Sequence, residues 1–121
     1  TLVTWGAQVK ESLEAAEQLA KEGISAEVID LATLTPLDFD TIAESVQKTG
    51  RCVIVHEAPR TAGFGAEIAA RIAEECIYDL LAPVVRVTGW DIHTPLYRLE
   101  NKQLPSAARV VAAAKRTLAA G

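Results

Sequence analysis

His56 and Glu57, side by side at the end of an apolar run, are the residues best suited to chemistry in this 121-residue chain. An imidazole beside a carboxylate can act as an acid–base pair, because histidine exchanges its proton near neutral pH. Neighbouring strand residues point to opposite faces, so the two meet only if the following turn twists them together. That turn reads Ala58-Pro59-Arg60-Thr61, and Arg60 adds a permanent cation at the same end. Gly63-Phe64-Gly65 then opens a helix, the setting in which backbone N–H groups can cradle a phosphate. Ile68 stands where a dinucleotide fingerprint needs its third glycine, and no Lys-Ser or Lys-Thr pair follows the turn. Close backbone packing is therefore the expected use of these glycines.

Other candidate chemistry is thinner. His93 lies in the stretch Gly89-Trp90-Asp91-Ile92-His93-Thr94-Pro95-Leu96-Tyr97, where no neighbouring residues complete a metal site. Trp90 and Tyr97 in that stretch are expected to cover a neighbouring surface, as aromatics in exposed loops commonly do. A serine-based triad is poorly supported, since no G-x-S-x-G elbow occurs and Ser12, Ser25, Ser45 and Ser106 fall in helices or at their ends. The strand ends also lack the clustered aspartates of a phosphate-receiving domain.

Four strand-then-helix units position these residues. Strands are expected over 1–5, 25–31, 51–57 and 83–88. The run Cys52-Val53-Ile54-Val55 has no polar alternation, as in a strand covered on both faces of a parallel sheet. The first helix is predicted to bury Val9, Leu13, Ala16 and Ala20 and to stop at Gly23. A second, capped by Asp38 or Asp40, buries Ile42 and Val46 and ends at Gly50. A third, over 65–80, buries Ile68, Ala69, Ile72, Cys76 and Leu80 and sends Glu67, Glu74 and Glu75 to water. After an irregular stretch, Pro105 suits the first turn of a last helix with Val110, Val111, Ala114 and Leu118 inward. The pattern predicts a three-layer α/β/α fold on a mainly parallel sheet of order 2-1-3-4.

The length suits one domain that needs no disulfide. Cys52 and Cys76 fall at apolar positions and read as small buried hydrophobes. Twelve basic against sixteen acidic residues give a net charge of −4, which argues against nucleic acid and favours basic over acidic partners. No run approaches the roughly 18 apolar residues of a membrane span. The chain starts within a strand and contains no Met, so a fragment of a longer protein is expected.

Read in order, Thr1-Leu2-Val3-Thr4-Trp5-Gly6, Glu27-Val28-Ile29-Asp30-Leu31, Thr33-Leu34, Pro36-Leu37-Asp38, His56-Glu57-Ala58-Pro59, Ala82-Pro83 and Leu104-Pro105 resemble the C-terminal domain of transketolase-like thiamine enzymes. Among these the chain is similar to the β subunit of 2-oxoacid dehydrogenases. Glu74-Glu75-Cys76 and Trp90-Asp91 look like the branched-chain version, with the pyruvate enzyme as the alternative. The chain departs from the usual pattern at Ala62, where relatives carry glycine, and at Ile92-His93, which read as an insertion. The resemblance implies oxidative decarboxylation of a 2-oxoacid with acyl transfer to lipoamide, on thiamine diphosphate and Mg held by other domains. It implies no catalytic residue in this chain, which alone should be inactive. Its expected partners are an α subunit, a second β subunit and a lipoyl acyltransferase core. His56, Glu57, Arg60, Trp90 and Tyr97 become interface or ligand-contact candidates, and Glu67, Glu74 and Glu75 a candidate docking surface near the Ala82-Pro83 corner. The implied location is the cytoplasm of a bacterium or the mitochondrial matrix of a eukaryote. A different class of reading, a stand-alone α/β module binding a small anion at the His56-Glu57 end, stays open at this stage.

Overall fold

The computed structural model describes residues 1–120. Four parallel strands, β1 (Leu2–Thr4), β2 (Val28–Asp30), β3 (Val53–Pro59) and β4 (Val85–Gly89), form one sheet of order β2-β1-β3-β4. The expected order holds. The helices are α1 (Gln8–Lys21), α2 (Phe39–Thr49), α3 (Phe64–Cys76), a short α4 (Glu100–Gln103) and α5 (Ala107–Ala119).

Period-two alternation along the strands splits the core into two layers. Leu2, Val53, Val55, Val85 and Val87 face α1 and α5, where Ala15, Leu19, Val110 and Ala114 meet them. Val3, Ile29, Cys52 and Ile54 face α2 and α3, packing on Ile42, Val46, Ile68 and Ile72. Cys52 and Cys76 are free and buried in that second layer. Burial pushes the Cys52 thiol up to about 12, so it packs as a neutral group.

Several local expectations are corrected. In α1 the buried face is Gln8, Ser12, Ala15 and Leu19, one residue ahead of the predicted set, and Leu13 is 50% exposed. Both sets share the same spacing, so periodicity leaves the phase open. On the buried face, Ala15 and Leu19 join the layer that α1 shares with α5. In α5, Val110 and Ala114 face inward as expected, joined by Ala107, Ala113 and Thr117, whereas Leu118 is 41% exposed. Pro105 precedes that helix rather than joining it, because Ser106 is the cap and accepts from the Arg109 N–H at 3.3 Å. The third helix ends at Cys76 and tightens into a 3₁₀ turn over Ile77–Asp79. The stretch after β4, expected to be irregular, contains the short helix α4.

Candidate functional site

Strand β3 carries His56 and Glu57 to the carboxyl end of the sheet, where they separate. His56 lies on the α3 side and is 1% exposed, whereas Glu57 is exposed on the other side. They form no acid–base pair. The imidazole stacks on Trp5 with ring centroids 5.3 Å apart and planes at 20°, and Phe64 meets Trp5 edge-on at 6.0 Å. Neither ring nitrogen has a hydrogen-bond partner. Burial first, and the nearby Arg86 cation second, hold the His56 pKa below its usual value. The Ala58 carbonyl pulls weakly the other way without reaching hydrogen-bond geometry. His56 is therefore a neutral ring in an aromatic slot.

Gly63 and Gly65 create that slot. A Cβ on Gly65 would fall 2.5 Å from His56 Nε2, and one on Gly63 would fall 2.7 Å from His56 Cε1 and 2.4 Å from the Pro59 carbonyl oxygen. The glycines serve close packing against the imidazole. Among the described residues no group of three or more His, Cys, Asp or Glu side chains could hold a metal ion. Thiamine diphosphate with Mg thus finds no fitting site at this turn.

Around the turn, polar contacts bind the loops together. Arg60 Nη1 donates to the Arg86 carbonyl and Arg86 Nη1 to the Arg60 carbonyl, both at 3.0 Å. Asp91 accepts from the Thr61 N–H at 2.9 Å and from the Thr61 hydroxyl, and these bonds hold its carboxyl below the usual range. Trp90 donates its indole N–H to the Lys102 carbonyl at 3.1 Å and lies under the Arg109 guanidinium, 4.6 Å from its ring centroid. Tyr97 makes no such contact and is 85% exposed beside Leu96 at 89%. His93 is exposed in a shallow depression with Pro59, Thr61 and Asp91. Glu67, Glu74 and Glu75 are exposed on α3, and Glu75 pairs with Arg71 at 3.3 Å. The structure thus joins Arg60, Asp91 and the turn, but keeps Tyr97 and the glutamates apart from them.

Trp5, Arg86 and Arg109 escaped sequence reading. An arginine between two valines in a buried strand, and a tryptophan just before the first glycine turn, were the available signals.

The family profile described as "Transketolase, C-terminal domain" matches residues 1–110. The pyruvate dehydrogenase E1 component subunit beta of Staphylococcus epidermidis is 51% identical over 118 residues, covering 98% of this chain and 36% of that protein. Its counterpart from Staphylococcus aureus is 48% identical with the same coverage. A solved structure described as "Split gene transketolase, inactive beta4 tetramer" superposes with a TM-score of 0.83 at 35% identity, covering 98% of this chain and 37% of that one. The chain spans about a third of the length of the relatives it matches. With the sheet order, the two packed layers and a match over residues 1–110, the chain belongs to the transketolase C-terminal domain family.

Proposed function

We propose that the chain is the C-terminal domain of the β subunit of a thiamine diphosphate-dependent 2-oxoacid dehydrogenase, and that the whole enzyme acts on pyruvate. The observation that carries this reading is 51% identity over 98% of the chain to a protein named as a pyruvate dehydrogenase β subunit. It favours pyruvate over the branched-chain substrate that Glu74-Glu75-Cys76 and Trp90-Asp91 suggest. Thiamine diphosphate and Mg belong to other domains in this reading.

The domain's own part is assembly with the α subunit, a second β subunit and the lipoyl acyltransferase core. Trp90, Ile92, Leu96, Tyr97 and Leu99 are each at least half exposed, an apolar cover suited to a neighbouring subunit. Glu57 and Arg60 flank that surface, with His56 acting beneath them by packing, while Glu67, Glu74 and Glu75 form an acidic face for a basic docking module. In a bacterium the assembled enzyme would work in the cytoplasm. No helix among the described residues is long and apolar enough to cross a membrane.

Steady-state decarboxylation by the full-length β subunit, assembled with its α subunit, tests the substrate reading. Pyruvate should give a higher kcat/KM than 3-methyl-2-oxobutanoate, and the reverse order would sink it. Micromolar calorimetric binding of thiamine diphosphate with Mg to the isolated domain would sink the assembly reading.

A further inference from the structure

The segment that follows α3 leaves apolar side chains uncovered. Tyr78 is fully exposed, and Ile77 and Leu81 are each more than half exposed, so three large apolar residues within five positions bury little in this fold. The backbone that carries them is nonetheless tied down. The Leu80 N–H donates to the Ile77 carbonyl at 3.4 Å and the Leu81 N–H to the Gly50 carbonyl at 2.8 Å. Leu81 also lies against Gly50, where a Cβ would fall 2.7 Å from its side chain. An apolar knuckle held in this way has already lost much of the freedom that binding would remove, so its burial converts more fully into affinity.

The charges around the knuckle select its occupant. Between Arg71 and Arg86 the chain has no basic residue but carries Glu74, Glu75 and Asp79, all exposed. Glu74 stands one helical turn before Ile77 and Tyr78. The cations that flank Gly50 are engaged elsewhere, Lys48 with Glu27 at 3.3 Å and Arg51 with the Thr117 carbonyl at 3.0 Å. A second copy of this chain suits the patch poorly, because a two-fold contact would set these carboxylates against their own kind. A partner that brings Lys or Arg to the rim suits it well.

We propose that Ile77, Tyr78 and Leu81 form the apolar centre of a docking surface for a basic module of a partner protein, one whose aliphatic patch is ringed by Lys or Arg. This rests on the reading of the α3 carboxylates as a face for such a module, and adds that the knuckle holds the partner while the carboxylates attract it. Tyr78 is the anchor, since an aromatic ring buries on the order of 150–250 Å² and tyrosines are enriched among the residues that dominate interfaces. The two contributions separate in kinetics: charge at the rim acts on association, and packing at the centre acts on dissociation.

Surface plasmon resonance tests this with the full-length β subunit, assembled with its α subunit, passed over immobilised lipoyl acyltransferase. Tyr78→Ala should speed dissociation about tenfold and leave association nearly unchanged, whereas Glu74→Lys should mainly slow association. Tyr78→Phe, which keeps the ring, should bind like the parent. Ile77→Ser should also speed dissociation, and Leu13→Ala, at a comparably exposed position on α1, should not. Tyr78 lies wholly in water in this fold, so an unchanged Tm verifies that its variants are folded. Dissociation indifferent to Tyr78→Ala, with Glu74→Lys still slowing association, would overturn the knuckle and leave the acidic face standing. Indifference to both substitutions would overturn both. Self-association of the enzyme alone that Tyr78→Ala abolishes, followed by analytical ultracentrifugation, would give the patch to a second copy and overturn the proposal as well.

Discussion

At the scale of single residues, His56 decides how the carboxyl end is built. Its pKa is held below its usual 6.5, so the unfolded chain takes up the proton more readily than the folded one. The stability it supports is present above about pH 6.5 and is lost as pH falls through the folded-state pKa. Thermal melts between pH 7 and 5 should therefore show Tm falling with acidity, and His56→Gln should flatten that slope. An unchanged slope would mean that the ring is not the titrating group. The slot itself can be tested with a double-mutant cycle. Gly65→Ala should cost about 1–3 kcal/mol by overpacking against the imidazole, and much of that cost should vanish in a His56→Ala background. Gly63→Ala should stay costly in the same background, because its Cβ also meets the Pro59 carbonyl. Urea melts of the single and double variants read both terms.

At the scale of elements, two short ties fix the segment after β4 and the turn after β3. Thr61 and Asp91 clasp them together, and because the clasp lowers the Asp91 pKa, it persists until pH drops below the ordinary carboxylate range. Asp91→Ala should speed amide hydrogen exchange over residues 91–99 at pH 7 and leave the sheet protected. Unchanged exchange there would mean that Trp90 and Lys102 suffice to hold the segment. Ala62 lies in the same turn with φ of 60°, a left-handed conformation in which a Cβ is strained. Ala62→Gly should raise stability by a few tenths of a kcal/mol, since relief of that strain slightly exceeds the extra freedom glycine gives the unfolded chain. A lower Tm in that variant would show the turn to be unstrained.

At the scale of the whole molecule, charge is distributed by side rather than averaged. The net charge of −4 predicts basic partners, and exposed Glu67 and Glu74 on α3 fit that expectation. Arg86, Arg109 and Arg116 gather instead along the β4 edge. A basic docking module should bind the α3 face more weakly as salt rises above about 0.15 M, where the Debye length is roughly 8 Å. Glu74→Lys should lower its affinity with little change in Tm, because an exposed carboxylate adds little to stability. Glu75→Lys should add less, as its carboxylate is shared with Arg71. Surface plasmon resonance on the assembled enzyme separates these, and salt-independent binding would exclude that face.

The sequence alone determined the succession of four β-α units, the 2-1-3-4 order, the stop at Gly50, and the packing use of Gly63 and Gly65, whereas the choice of Asp38 over Asp40 as the cap came from the structure. These follow from local signals: unbroken apolar runs, cap residues, glycine turns and the handedness of crossovers. Order and spacing along the whole chain also carried the family resemblance. The phase of α1 could not be read, because two sets of positions share one periodicity and only the packing of α1 on its neighbours selects between them. Nor could the sequence show that His56 turns inward onto Trp5 while Glu57 turns out, or that Arg60 and Arg109 reach the outward carbonyls of β4. Those contacts join residues 21 to 51 positions apart, and a one-dimensional pattern holds no record of which distant side chain fills a given space.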